Sequence, residues 1–182
     1  MLTINFDPFP LLLTERLLLR RTEESDVNEI FILRSDKRVM EFIERRAVKS
    51  IEEAVLYIQS INDLIKNNEA IQWAITLKNN PKLLGTICIW HISKEHHRGE
   101  IGYALNADAH GKGIMQEALT QVINFGFKIL NLHSIEADVN PGNMASIKLL
   151  ERNKFTREGH FKENICFDGK FFDTVVYSLL AP

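Results

Sequence analysis

The chain has 182 residues, 45% of them hydrophobic and 25% charged, and a formal net charge of −2. That balance suits one soluble globular domain covering 1–182 and excludes nucleic-acid binding through a strongly basic face. No run reaches the ~18 apolar residues of a membrane span, so neither a nucleic acid nor a membrane is an expected partner. The opening MLTINFDPFPLLLTER lacks a basic n-region and contains prolines, so it reads as neither signal peptide nor anchor. Residues 1–10 read as a loosely ordered segment, and the expected location is cytoplasmic. Cys88 and Cys166 stand in apolar surroundings without metal-site spacing and are expected to be reduced core thiols.

RLLLRRT (16–22) reads as a first strand whose arginines mark solvated ends. In the following ESDVNEIFILRSD, Asp26 is placed to cap a helix with Val27, Ile30, Phe31 and Leu33 near helical spacing. SIEEAVLYIQSINDLIKNN (50–68) opens on Ser50 with Glu53 three residues on, a capping-box pattern, and its apolar residues mark one helix face. The period then changes. AIQWAITL, LLGTICIWHI and GEIGYALN are β-branched and aromatic runs separated by KNNPK and SKEHHR, short connections that imply an antiparallel meander. The histidines of HISKEHHR (91–98) fit a polar hairpin turn rather than a metal cluster, and no metal is expected. A helix over about 112–131, a strand HSIEADV, a second helix over about 143–153 and two closing strands complete the chain. The stretch 99–139 is long enough for a crossover joining parallel strands. The fold class is therefore α+β, or mixed α/β, with helices on the faces of a sheet that is antiparallel in its first half.

Gly111 and Gly113, in DAHGKGIMQEAL, stand between a strand ending near Asn106 and a helix burying Ile114, Met115, Ala118, Leu119, Val122 and Ile123. A helix N-terminus presents unpaired N–H groups and roughly half a positive charge. Glycine there removes the Cβ atoms that would keep a large anion from the backbone, and Lys112 adds a cation. A plain strand-to-helix turn would use the same glycines for positive φ. The spacing is neither that of a P-loop nor G-x-G-x-x-G.

With NPGNMASIKLLERNKF (140–155) added, the chain resembles the GNAT N-acetyltransferases, and among them the RimJ/RimL ribosomal-protein N-terminal acetyltransferase branch. The resemblance starts at TERLLLRRTEESDVNEIF, continues through GEIGYALNADAHGKGIMQEAL and NMASIKLLERNKF, and ends in REGHFKENICFDGKFFDTVVYSLL. It implies a GNAT-like fold, a mostly antiparallel sheet with a parallel splayed pair and flanking helices, and acetyl-CoA as co-substrate. HGKGIM looks like the loop for the CoA pyrophosphate, with the amides of His110, Gly111, Lys112, Gly113 and Ile114 around the phosphates. Leu105 and Asn106 fall at the strand end that pairs with the pantetheine arm, and Asn143 and Ser146 match polar positions beside the pantetheine and sulfur. Two positions depart from the pattern: Asp108, where Gln or Arg is common, cannot donate to phosphate, and Lys154 stands where glycine usually precedes the phenylalanine.

An α-amino group has a pKa near ~8 and a lysine near ~10, so acetyl transfer to an amine needs a base. Alternation in EIGYAL puts Glu100, Gly102 and Ala104 on one face and Ile101, Tyr103 and Leu105 on the other. Glu100 stands on the face with little other bulk and is similar to the base position of several GNAT enzymes. It is the expected base; otherwise it is a solvated strand-edge glutamate. Ser146 is the expected group to bond the sulfur and return a proton, unless it bonds only backbone, and Asn143 can cap the helix as well as line the donor site. Tyr103 is expected in the core. Glu41 and Glu44 of EFIERRAV (41–48) either attract a cationic amine or are plain solvated charges. The expected activity is acetyl transfer to a primary amine by direct attack in a ternary complex. The acceptor is a protein N-terminus or a small molecule such as a polyamine, an amino acid or an aminoglycoside. The alternative is an acyl-CoA-binding sensor or structural subunit without turnover. Similar enzymes are often dimers, and FFDTVVYSLL suits either a homodimer interface or the core.

Overall fold

The computed structural model describes residues 1–182. Its strands are β1 (Leu12–Leu13), β2 (Leu17–Arg20), β3 (Ile71–Leu77), β4 (Asn80–Ser93), β5 (Arg98–Leu105), β6 (Ser134–Val139), β7 (Thr156–Phe167) and β8 (Lys170–Leu180). Its helices are α1 (Val27–Ser35), α2 (Lys37–Met40), α3 (Ile51–Lys66), α4 (Ile114–Lys128) and α5 (Met144–Arg152). The strands form one eight-stranded sheet in the order β1-β2-β3-β4-β5-β6-β8-β7. Every neighbouring pair is antiparallel except β5 and β6, which α4 joins as a parallel crossover. This is the mixed α+β architecture expected from the sequence.

The parallel pairing is short. Arg98, Gly99 and Glu100 meet Ser134, Ile135 and Glu136, and beyond Glu100 the two strands part. β5 stays on β4 as far as Leu105, while β6 stays on β8 as far as Val139. The sheet therefore has an opening in its middle, with Glu100 at the apex.

Alternation assigns the two faces. Trp73, Ile75, Ile87, Ile89, Ile101 and Leu105 pack with Ala118, Leu119, Val122 and Phe125 of α4 in the main core. Trp73 is fully buried and meets Phe125 edge-on, with ring centroids 5.1 Å apart. On the other face Ala74 joins Ile30, Leu33, Ala54 and Ile58 in a smaller core under α1 and α3. Ser50 caps α3 by accepting from the Glu53 N–H at 3.3 Å, while the Glu53 carboxylate accepts from the Lys49 N–H instead of completing the box on Ser50.

Several local expectations are corrected. Leu2, Ile4 and Phe6 are buried in the main core, so the N-terminal segment is packed, not loose. Its alternating apolar residues carry that signal, which the prolines obscure. Arg20 is not solvated: it makes two 2.7 Å hydrogen bonds to Asp26, with side chains 14% and 5% exposed. Asp26 is thereby occupied and does not cap α1. The helix expected over 112–131 begins only at Ile114, because Gly113 takes φ +72. Cys166 is exposed, since β7 is an edge strand, whereas Cys88 is half-buried. β8 is divided: Val175 and Tyr177 are in the core, while Phe171 and Leu180 are exposed.

Candidate active site

One half of the site is made of backbone. β5 ends at Leu105, whose carbonyl lies 2.9 Å from the His110 ring Nε2. Asn106 caps the short turn Ala107–Ala109, accepting from the Asp108 N–H at 3.1 Å, and its own N–H donates to the Leu84 carbonyl. The His110 N–H is also engaged, donating to Ala107, so its amide does not belong to the free set expected from the sequence. Beyond it, Gly111 and Gly113 take φ +73 and +72. The N–H groups of Gly111, Lys112, Gly113, Ile114, Met115 and Gln116 find no backbone acceptor. They form the opening turn of α4, where the helix field favours an anion. A Cβ placed on Gly111 would meet nothing within 4 Å, so the space in front of the loop is clear. The residues present therefore fit a diphosphate.

Arg16 braces this loop from β2's leading edge. Its Nε lies 2.7 Å from Glu117 Oε2 and its Nη1 donates to the Lys112 carbonyl at 3.0 Å. Burial alone would raise the Glu117 carboxyl, but its bonds to Thr14 and Arg16 outweigh that and hold it below the ordinary range. Lys112 Nζ folds back onto the Asp108 carbonyl at 2.8 Å. Asp108 lies 3.2 Å from the Arg38 guanidinium, which it shares with Asp36 at 2.6 Å, so this departure from the family pattern is partly counter-charged. Sequence reasoning missed Arg16, which reaches its partners across about a hundred residues and leaves no local signal.

The other half is made of side chains on the opposite face of the sheet. Glu100 is 14% exposed, and its Oε2 lies 2.7 Å from His91 Nδ1. Burial raises its pKa, the His91 bond opposes that, and the nearby Asp138 adds to the rise. His91 reaches Glu100 because β4 bulges between Trp90 and Ser93 and His91 takes φ +45, which turns its ring onto the Glu100 face. The histidine assigned to a polar turn thus joins the site. Asp138 of β6, facing the same side, is also raised, first by burial.

A cleft of about 560 Å³ runs through the opening and is lined from both faces of the sheet, by Glu100 on one and by Tyr103, Asn143 and Ser146 on the other. Asn143 Oδ1 accepts from the Ser146 N–H at 3.1 Å, capping α5 while lining the cleft. The Ser146 hydroxyl meets Tyr103 Oη at 2.7 Å. The ring of Tyr103 packs on the main core as expected, but its hydroxyl does not: it joins Ser146 at the cleft. Burial pushes Tyr103 up to about 12, so it stays protonated at neutral pH. Cys88, on the cleft floor, donates its thiol to the Gly102 carbonyl at 3.4 Å, and burial pushes it up to about 12. Glu44 lines the cleft and accepts from Asn140 Nδ2 at 2.6 Å, whereas Glu41 is exposed on the turn after α2.

A sheet opened at its one parallel pair, with a glycine-flanked helix start on one side and a half-buried carboxylate on the other, is the architecture of an acyl-group transferase. Residues 16–156 match the acetyltransferase (GNAT) domain. The chain belongs to this family. It is 33% identical over 174 residues to the uncharacterized N-acetyltransferase YoaA of Bacillus subtilis, covering 96% of this chain and 98% of that one. It is 29% identical to the [ribosomal protein uS5]-alanine N-acetyltransferase of Escherichia coli, over 67% of this chain and 63% of that one. To the spermidine N(1)-acetyltransferase of Vibrio cholerae it is 25% identical, over 88% and 91%. A crystal structure of a GNAT-family acetyltransferase from Bacillus anthracis superposes with a TM-score of 0.83 at 28% identity, covering 94% of this chain and 98% of that one.

Proposed function

We propose that the protein, acting as a single cytoplasmic domain of the RimJ/RimL type, transfers the acetyl group of acetyl-CoA to a primary amine by direct attack in a ternary complex. One observation carries this reading. The sheet opens between unpaired backbone amides on one face and a half-buried carboxylate on the other.

When bound, acetyl-CoA supplies the activated acetyl group. The amides of residues 111–116 would hold its diphosphate, and Leu105, Asn106 and Asn143 border the route from there to the opening. Glu100 takes the proton of the incoming ammonium, and its raised pKa brings it towards the operating pH, where a general base is most effective. His91, 65% exposed and bonded to Glu100, offers that proton a path to solvent. Ser146, backed by the protonated Tyr103, returns a proton to the departing sulfur from the other face. Base and acid on opposite faces suit a transfer through the opening, in which the amine enters one side as the thiol leaves the other. Direct attack is favoured over an acetyl-cysteine route, because Cys88 is the one cysteine at the cleft and is held as a thiol.

The test is thiol release from acetyl-CoA by the purified protein, followed over a panel of amines and N-terminal peptides. Release with at least one acceptor is expected. Tight CoA binding with no release for any of them would establish a sensor without turnover instead.

A further inference from the structure

The acceptor side of the cleft contains polar hydrogens with nothing to bond. The sheet register lays out its floor: Gln72 pairs with Cys88 and Cys88 with Gly102, while in the next row Trp90 pairs with Glu100. All of these line the cleft. Gln72 is 4% exposed, and its Oε1 is satisfied by the Tyr57 hydroxyl at 2.7 Å, yet its Nε2 has no partner. Trp90 Nε1 is buried and equally unpartnered. It lies near enough to Glu100 to favour that carboxylate's charge but makes no hydrogen bond with it. An indole nitrogen can only donate, so its need is unambiguous. Gly102 clears the space between: a Cβ there would stand 3.2 Å from Cys88 Sγ and 3.8 Å from Trp90 Nε1. A third unpartnered donor, Arg34 Nε, sits in the same wall, its guanidinium 4.0 Å above the Tyr57 ring.

Buried donors left unpaired are costly, so their persistence beside the Glu100 carboxylate calls for a ligand acceptor. A polyamine offers none, because every one of its heteroatoms is a protonated donor near neutral pH. We propose that Gln72 Nε2 and Trp90 Nε1 bind an oxygen of the acceptor, and that the acceptor is an α-amino carbonyl compound whose amine faces Glu100. The carbonyl lies two bonds from the amine, which matches one donor in the base's own row, Trp90, and one in the adjacent row, Gln72. This rests on the acetyl-transfer reading and narrows it to a substrate class.

The experiment compares three acceptors with acetyl-CoA: L-alaninamide, an alanine-headed tetrapeptide, and 3-methyl-2-butylamine, which keeps the shape of alaninamide without its oxygen. Each is assayed with wild type, Gln72→Met and Trp90→Phe. Each amine is compared with itself across variants, so its own basicity cancels. The ratio of kcat/KM for alaninamide to that for the isostere is expected to fall about tenfold in each variant, with the change in KM rather than kcat. The tetrapeptide arm tells a peptide terminus from a free amino-acid derivative. An unchanged ratio, or a wild type that prefers the isostere, overturns the proposal while leaving acetyl transfer intact. A readout independent of turnover guards against an inactive or misfolded variant. The indole N–H resonance of Trp90, identified by its loss in Trp90→Phe, moves downfield when alaninamide saturates the CoA-loaded wild type and not when the isostere does. No shift with alaninamide overturns the proposal even if no amine is acetylated.

Discussion

The donor loop and the acceptor wall solve recognition with different materials. Around Gly111 to Gln116 the free polar groups are main-chain amides, and the nearby side chains turn away: Lys112 bonds back to Asp108, and Arg16 bonds the Lys112 carbonyl from behind. Around Glu100 the groups are side chains, and the glycine and alanines between them serve as floor. A diphosphate is the same in every CoA, so a rigid backbone cradle suffices. Acceptors differ, and side chains can be exchanged without disturbing the sheet.

The sharpest test of that division is Glu100→Gln. Loss of a general base lowers kcat on the order of 10²- to 10⁴-fold, and CoA affinity should not move. Wild-type kcat/KM should fall on the acid side as Glu100 protonates, and that limb should be absent in the variant. Stability moves the other way. Burial raises the folded pKa of Glu100, so its contribution to stability is present below the ordinary carboxylate pKa and is lost as pH rises through the raised value. Glu100→Gln should therefore melt no lower than wild type at pH 7, and the two should converge near pH ~4. A variant that loses activity and melting temperature together at pH 7 would assign Glu100 to structure.

The cradle is tested by a matched pair. Gly111 and Gly169 both have φ +73, and a Cβ on either meets nothing within 4 Å. Valine at each should cost a similar amount, about 1–2 kcal/mol of stability, from left-handed backbone strain. Only Gly111→Val should weaken CoA binding, by roughly tenfold to a hundredfold in calorimetry, because only there does the new side chain stand where the anion approaches. Equal CoA affinity in the two folded variants would remove the loop from donor binding.

Legibility in the sequence follows the same line. The loop's geometry is legible because it rests on local facts: glycines at a strand-to-helix junction, and an apolar period starting at Ile114. The face that Glu100 occupies is legible from strand parity. What escaped was whatever a long-range contact or an irregularity creates. Arg16 acts on Glu117 across the fold. His91 is re-aimed by a bulge that alternation alone cannot foresee. Tyr103 was placed correctly by parity, yet its hydroxyl reaches past the core to Ser146, which only the packing of α5 decides. Lys154 was visible as a departure, and it takes φ +69 at the end of α5, the conformation a glycine would adopt freely.

The acid side should respond less than the base. Ser146→Ala and Tyr103→Phe each break the 2.7 Å hydroxyl pair. Each is expected to lower kcat about tenfold, since water can replace one link of a proton path. In Ser146→Ala the Asn143 cap remains, because it bonds the Ser146 backbone N–H, so melting should change little. The double variant should lose hardly more than either single one, as members of one relay do. Additive losses would mean the two hydroxyls act separately.

The smallest effect is expected at Asp108. A carboxylate beside a phosphate-binding loop looks harmful, and a cradle that relied on side-chain charge would gain from its removal. Asp108 is 81% exposed, however, and is paired with Arg38, while its contribution to the loop is the carbonyl that accepts from Lys112. Asp108→Asn removes the charge, keeps that carbonyl and leaves Arg38 on Asp36. If main-chain amides do the binding, KM for acetyl-CoA should change by less than about twofold at 0.15 M salt, where exposed charges are screened beyond ~8 Å. A several-fold fall in KM would show that side-chain electrostatics share the donor half after all, and the contrast between the two halves would have to be redrawn.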